Sequence, residues 1–271
     1  MAQWMGLPTY LQEQNAAPGM TNRLLAKMVK AAFVAYPNMQ QYFTETSLEI
    51  TGNPIRSTAD SSISKEEACE YFNLDSTRPI VFMTGGSLGA QTLNDSMALA
   101  LPMFREKGIQ VLWQSGSYYY ERFKAHHGEH VKVMAYVDRM DLAYLVADVI
   151  VARAGASTIS ELALIAKPSI LIPSPNVTED HQNKNAQAMV DARAILKISD
   201  ENARDKMGHE VIHLLEDRKR QEELSVALEQ FAKPYAAHDI VQYIVKECNL
   251  PHYIHHHLSL IHISEPTRQD R

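Results

Sequence analysis

The stretch Pro79-Ile80-Val81-Phe82-Met83-Thr84-Gly85-Gly86-Ser87-Leu88-Gly89-Ala90 decides how the rest of the chain is read. Its first half is a short apolar run rich in strand formers. Its second half is a glycine turn that opens onto a helical spacing. Outward from it the same alternation repeats. Strands are expected at 80–84, 109–113, 131–135, 148–152, 169–172 and 194–198, and helices at 89–106, 117–126, 138–146, 157–166 and 181–192. Strands alternating with helices in this way form βαβ units and a parallel sheet covered on both faces, so the expected class is α/β.

The flanks are less regular. Residues 1–57 suggest a strand at 8–11, a helical spacing over 21–32 (Leu24, Leu25, Met28, Val29, Ala32) and a short strand at 48–51 closed by Gly52-Asn53-Pro54. Residues 58–78 read as a connector bearing one short helix. Beyond residue 198 polar helical segments run to about residue 246. The segment 250–271 breaks the composition, with His252, His255, His256, His257 and His262. Adjacent histidines do not face one site on a regular element, and no carboxylate or cysteine stands at ligand spacing, so no metal site is expected. That tail is expected to be non-native sequence, excluded from the fold. The expected organisation is therefore 1–57, 58–78, 79–247 and the tail 250–271.

Composition bounds the function. The chain has 271 residues, 26 Lys and Arg against 32 Asp and Glu, a net charge of −6 and 45% hydrophobic residues. This is a soluble globular balance. A mildly acidic chain without a basic stripe does not displace counterions from nucleic acid, so no nucleic-acid partner is expected. No apolar run approaches the ~18–20 residues that span a bilayer. The opening Met1-Ala2-Gln3-Trp4-Met5-Gly6 has no basic region followed by an apolar one, and Cys69 and Cys248 are too few for a disulfide scaffold. A cytoplasmic protein is the expectation.

Ligands of open parallel sheets bind beyond the carboxyl ends of the strands, so the loops there carry the chemistry. In the first, residues 84–90, glycines let backbone amides approach an anion at a helix N-terminus. It lacks the Gly-Lys-Ser/Thr of a nucleoside triphosphate loop and the GxGxxG of a dinucleotide site, whose second strand would end in an acid rather than Trp113-Gln114-Ser115-Gly116. A tight turn that binds nothing is an equal reading. The second loop is Arg153-Ala154-Gly155-Ala156-Ser157-Thr158-Ile159-Ser160-Glu161. Either Thr158 and Glu161 form a capping box, or the amides of 156–158 hold a diphosphate while Glu161 accepts both hydroxyls of a ribose. In the third loop, Asp180 and His181 suit a helix cap, and Gln182 and Asn183 suit sugar hydroxyls. The fourth, Ala135-Tyr136-Val137-Asp138-Arg139-Met140, either presents main chain to a flat base or is a plain turn capped by Asp138.

Together the loops carry a resemblance. Gly85-Gly86-Ser87-Leu88-Gly89-Ala90-Gln91-Thr92-Leu93-Asn94, Arg153-x-Gly155-Ala156-x-Thr158-x-Ser160-Glu161 and Asp180-His181-Gln182-Asn183-x-Asn185-Ala186 occur in order. They closely resemble the C-terminal half of the MurG family. Those bacterial enzymes move N-acetylglucosamine from UDP-N-acetylglucosamine onto the undecaprenyl-linked muramoyl-pentapeptide precursor of peptidoglycan. Glu13-Gln14-Asn15, Pro18-Gly19-Met20-Thr21-Asn22-Arg23 and Thr51-Gly52-Asn53-Pro54-Ile55-Arg56 resemble the end of the family's N-terminal domain and its hinge. The resemblance runs from about residue 3 to 247.

It implies a GT-B type fold: a complete C-terminal Rossmann-like domain with a parallel sheet, plus a remnant of the N-terminal Rossmann-like domain. It also implies an inverting transfer without a cofactor, in an enzyme peripheral to the cytoplasmic face of the cell membrane. By motif position, Ser87 would lie at the diphosphate or sugar, and Val137 would offer its backbone to uracil. Ala156, Ser157, Thr158, Ile159 and Ser160 would frame the phosphates. Glu161 would take the ribose and Gln182 the sugar hydroxyls, with Asn15 and Arg56 as further donor contacts.

One departure is large. The family's N-terminal Gly-Gly-Thr-Gly-Gly-His loop, which supplies acceptor contacts and the candidate general base, has no counterpart here, so no catalytic residue is assigned. His181 does not replace it merely by being present. Residues 1–57, with Arg23, Lys27, Lys30 and Arg56 against Glu13, Glu45 and Glu49, also lack the family's basic membrane-docking surface. The chain is thus expected to be an incomplete copy starting at an internal Met1 and inactive alone. The alternative is a non-catalytic UDP-N-acetylglucosamine-binding module that needs an N-terminal partner. A sugar-nucleotide 2-epimerase is a third reading, but it requires cleft carboxylates and a histidine that the sequence does not place.

Overall fold

The computed structural model describes residues 2–55 and 63–249. Arg56 and the histidine-bearing tail 250–271 lie outside the described residues. The described chain forms two compact units. One comprises residues 2–14, 18–55 and 234–249, the other residues 15–17 and 63–233.

The smaller unit holds three parallel strands, β1 (Tyr10–Glu13), β2 (Ala31–Val34) and β3 (Ser47–Ile50), in the order β1-β2-β3. Helix α1 (Met20–Ala26) joins the first two strands. The helical spacing over 21–32 is corrected here: α1 stops at Ala26, and Ala31–Val34 is the fully buried central strand. Leu24 is 68% exposed, so the apolar spacing holds no core contact that would extend the helix. Four consecutive buried apolar residues instead suit a strand covered on both faces. The strand expected at 8–11 runs from Tyr10, where Pro8, which lacks an N–H, has been passed.

The last helix of the described chain, α10 (Ala236–Glu247), belongs to this unit, because Tyr243 packs edge-on against Phe33 at 5.4 Å and Tyr10 at 6.3 Å. The division at 79–247 drawn from sequence does not coincide with the compact units at this helix. Nothing in the helix's own amphipathic pattern says which sheet it covers.

The larger unit begins with α2 (Lys65–Phe72), where Ser64 and Glu67 form a capping box: Glu67 N donates to Ser64 Oγ and Ser64 N to Glu67 Oε2. Six parallel strands follow: β4 (Ile80–Thr84), β5 (Gln110–Gln114), β6 (Val131–Met134), β7 (Val149–Ala152), β8 (Ser169–Leu171) and β9 (Leu196–Lys197). Their order is β6-β5-β4-β7-β8-β9. The chain therefore winds outward from β4 to β6, returns to the other side of β4, and winds outward again. Connecting and flanking helices are α3 (Gln91–Glu106), α4 (Tyr120–Phe123), α5 (Met140–Val146), α6 (Ala156–Ile165), α7 (His181–Asp191), α8 (Ala203–Glu216) and α9 (Arg218–Glu229).

Val81, Met83, Val111, Trp113, Val149 and Val151 lie on one face of this sheet, in a core shared with Leu93, Met97, Met207 and Val211 of α3 and α8. Every residue of β4, β5 and β7 is buried, as continuous apolar strands of a parallel sheet must be. No helix among the described residues is long and apolar enough to cross a membrane. The winding reverses between β4 and β7. That switch point opens a crevice at the carboxyl ends of the two strands, where doubly wound folds take their ligands.

Candidate functional site

The crevice holds a cavity of about 710 Å³. One wall is the loop after β4 and the start of α3, residues 85–92, which includes Ser87. Ala90 is the N-cap of α3 and offers no capping side chain, so the helix's first amides are left for another acceptor. The glycines have separate duties. Gly89 sits at φ +84°, where an added Cβ would stand 2.1 Å from the carbonyl oxygen of Ser115. This glycine and Gly116 let the loops after β4 and β5 lie back to back. Gly86, at φ +86°, faces open space. Part of the glycine signature is therefore packing, as the plain-turn reading held.

The second wall comes from the loops after β7 and β8. Arg153 lines the cavity and is held on three sides: its Nη1 donates to the carbonyls of Ile172 (3.0 Å) and Pro173 (3.1 Å) and pairs with Asp200 Oδ1 at 2.5 Å. The other oxygen of Asp200 accepts from the hydroxyl of Thr92 at 2.9 Å. One ion pair thus fixes four segments around the cavity. Gln182, in the first turn of α7, also lines it, and its side-chain carbonyl accepts from Ser174 N at 2.8 Å. The amide nitrogen of Gln182 is the end not used in this bond.

The neighbouring His181 has a buried Nδ1 with no hydrogen-bond partner among the described residues, and its Nε2 lies 4.0 Å from Glu179. Neither His181 nor Asp180 caps α7, contrary to the expectation.

Residues 156–161 form the first turns of α6. They fall outside the lining of the cavity, though Arg153 just before them is within it. Gly155 is the N-cap and, having no side chain, makes no side-chain cap bond. The capping box of Thr158 and Glu161 does not form. The helix starts at Ala156, which puts Thr158 at its third position, and Glu161 Oε2 accepts from the hydroxyl of Tyr144 at 2.6 Å. Burial, reinforced by the Glu161 charge, pushes the Tyr144 hydroxyl far above its ordinary pKa, so it remains a proton donor. Ser160 turns back on its own helix, donating to Ala156 O, and the Ile159 side chain is buried. The Ile159 N–H is taken up by Gly155 O at 3.0 Å. Ser157 is exposed.

Val137 does not offer both of its main-chain groups. Its N–H donates to Gln114 Oε1 at 2.8 Å, so only its carbonyl is not used in that bond. Asp138 does not cap α5, because Arg139 is the N-cap and has no side-chain cap bond. Arg139 instead holds the Asp141 carboxylate, whose pKa falls below its usual value. Asn15 is joined to α7: Asn185 donates through Nδ2 to Asn15 Oδ1 (3.0 Å) and accepts from Ala16 N (2.8 Å). The same Nδ2 lies 3.4 Å from the carbonyl of Ala154.

Ser87 and Gln182 therefore come together on one cavity. Asn15, Val137 and residues 156–161 lie outside its lining. Sequence reasoning did not single out Gln114, Tyr144, Asn185 and Asp200 as organising residues. Gln114 had a visible signal, a polar residue ending an otherwise apolar strand. Tyr144 reads as ordinary helix core.

The fold and its crevice define an α/β protein of the doubly wound class, in which ligands meet the carboxyl ends of the strands. Residues 80–240 match the family model described as glycosyltransferase family 28 C-terminal domain. The chain is 41% identical over 248 residues to a Flavobacterium psychrophilum protein, with 91% of this chain and 68% of that one covered. It is 42% identical over 251 residues to one from Parabacteroides distasonis, with the same shares covered. Both are named UDP-N-acetylglucosamine–N-acetylmuramyl-(pentapeptide) pyrophosphoryl-undecaprenol N-acetylglucosamine transferase. A crystal structure of Acinetobacter baumannii MurG superposes with a TM-score of 0.74 at 28% identity, covering 90% of this chain and 69% of that one. The chain belongs to the MurG family of glycosyltransferases.

Proposed function

We propose that the larger unit binds UDP-N-acetylglucosamine at the switch-point crevice, as the donor half of an inverting N-acetylglucosaminyltransferase of peptidoglycan synthesis. The observation that carries this reading is the pairing of two helix N-termini, α3 and α6, whose N-cap residues make no side-chain cap bond, on the loops after β4 and β7 in a chain so similar to such transferases. Each N-terminus can receive phosphate oxygens, where the aligned peptide dipoles favour negative charge. Ser87 and Gln182 would meet the diphosphate and the sugar, the Val137 carbonyl the uracil N3–H, and Glu161 the ribose.

In the reaction, an acceptor hydroxyl attacks the anomeric carbon and UDP departs as an anion. The protein's contribution on the donor side is to bind that anion more tightly as its charge develops. The acceptor would be the undecaprenyl-linked muramoyl-pentapeptide, met at the cytoplasmic face of the cell membrane. The general base is not assigned to any residue of this chain.

A second reading is that the chain, which spans 68% of the length of these relatives, holds the donor and turns nothing over without an N-terminal partner. Calorimetry with UDP and UDP-N-acetylglucosamine, paired with a turnover assay on lipid acceptor, separates the two. Binding with turnover supports the transferase, and binding without it the module. No binding of either nucleotide sinks both.

A further inference from the structure

We propose that Gln114 is a positioning residue that ties the phosphate-side glycine loop to the base-side main chain at Val137, so that the two halves of a uridine diphosphate are gripped by one rigid frame. The inference deepens the donor-site reading above and depends on it.

The geometry starts from register. Thr84 and Gln114 are the last residues of β4 and β5 and stand side by side as pairing partners. Both are buried, and neither lines the cavity. The two ends of the Gln114 amide reach in different directions. Its Nε2 donates to Thr84 Oγ1 at 2.9 Å and to the carbonyl of Gly86 at 3.1 Å. Its Oε1 accepts from Val137 N at 2.8 Å. Thr84 Oγ1 also accepts from Gly86 N at 3.2 Å, so Gly86 is held by both of its main-chain groups.

Both protons and the carbonyl of one buried amide are thereby engaged, which fixes its rotamer and the sense of its flip. Shifting the loop that carries Ser87 requires breaking bonds to the same side chain that orients Val137. The frame costs no reorganisation when ligand arrives, which is the source of its effect on affinity.

The chemistry of the amide makes the two attachments separable. Gln114→Glu keeps an oxygen for Val137 N but turns a second oxygen toward the Gly86 carbonyl, and two acceptors repel. Thr84→Val breaks the same side of the frame from its other end while keeping a β-branched shape in the strand. Gln114→Met breaks both sides.

The test is titration of UDP and of uridine against the unaltered chain and these three variants, by calorimetry for UDP and by NMR shift perturbation for uridine. Gln114→Glu and Thr84→Val are expected to weaken UDP about tenfold and to leave uridine within about twofold, whereas Gln114→Met weakens both. The ratio of the two affinities does not change when a variant merely unfolds in part, and Thr84→Val carries the test if Gln114→Glu does not fold. Parallel losses of UDP and uridine in Gln114→Glu and Thr84→Val overturn the proposal, as does unchanged UDP affinity in both. If the unaltered chain binds no UDP, the donor-site reading itself fails.

Discussion

The hydroxyl of Tyr144 in α5 donates to the Glu161 carboxylate in α6 across 2.6 Å. The phenol is buried, and its ring meets Phe82 of β4 at 5.7 Å. A carboxylate used only to end a helix would have no need of this partner. Glu161→Gln retains an acceptor for Tyr144 and should leave the thermal midpoint almost unmoved, yet it should weaken UDP by about tenfold if the carboxylate accepts the ribose hydroxyls. Glu161→Ala leaves a buried hydroxyl unpaired and should cost about 1–3 kcal/mol of stability as well. Urea unfolding and calorimetry on the same two variants separate these roles, and equal UDP affinity in Glu161→Gln would leave Glu161 purely structural.

Tyrosines supply a contrast within the chain. Tyr36 is buried with a hydroxyl that has no partner among the described residues, whereas the Tyr144 hydroxyl is well paired. Removing an unpaired buried hydroxyl should be neutral or stabilising, and removing a paired one should cost about 1 kcal/mol. Tyr36→Phe is therefore expected to hold or raise the urea midpoint and Tyr144→Phe to lower it. A fall in both variants would mean that Tyr36 has a partner in solution.

The same groups set the alkaline limit. Burial raises the pKa of Tyr36 and Tyr144, and Tyr10, beside Cys248 Sγ, is pushed up to about 12. A group whose native pKa lies above its unfolded value keeps its proton better in the fold. The stability it adds is complete below the unfolded value of 10.0 and is lost as pH rises past it toward the native value. Stability should therefore fall with increasing pH above about 10, and less steeply in Tyr144→Phe. Urea midpoints across that range check the slope, and parallel slopes in the two proteins would contradict it.

The strand and helix alternation of residues 80–191 was legible because apolar runs bounded by glycine and proline have only one packed solution in a parallel sheet. The same logic failed over 21–32, where Leu24, Leu25, Met28, Val29 and Ala32 have helical spacing by accident of a short helix abutting a short strand. Four-residue strands give periodicity too little length to declare itself. Within the site, Gly86, Ser87 and Gln182 were visible because loop chemistry is local. The organising contacts were not. Tyr144 with Glu161, and Asn185 with Asn15, join positions 17 and 170 residues apart, and no spacing rule in the sequence reports such pairs.

Glycines that look alike in the motif should behave differently. At Gly89 a Cβ would collide with backbone of Ser115 at 2.1 Å and with the Tyr119 ring at 2.9 Å, so the loops after β4 and β5 would have to separate. At Gly86 the left-handed φ alone opposes a side chain, at a cost of about 1–2 kcal/mol. Gly86→Ala should fold with a modestly lowered thermal midpoint. Gly89→Ala should lose most of its cooperative transition or its solubility. Equal midpoints for the two variants would show that the back-to-back packing of these loops is looser than their geometry requires.

The turn into α7 stores strain that one substitution can release. Glu179 and Asp180 are both left-handed, at φ +54° and +56°, on the loop that positions Gln182. Aspartate tolerates this region better than a longer side chain does, so most of the strain sits at Glu179. Glycine there removes about 1–2 kcal/mol of strain but adds chain entropy to the unfolded state worth about 0.5–1 kcal/mol. The balance favours the variant, so Glu179→Gly should raise the urea midpoint, the reverse of a typical replacement by glycine. Because relief of strain also loosens the loop, UDP-N-acetylglucosamine should bind more weakly to Glu179→Gly while UDP, which lacks the sugar that Gln182 would meet, is affected less. A lowered midpoint would mean that the Glu179 side chain contributes more, through contacts such as that with His181, than its backbone costs.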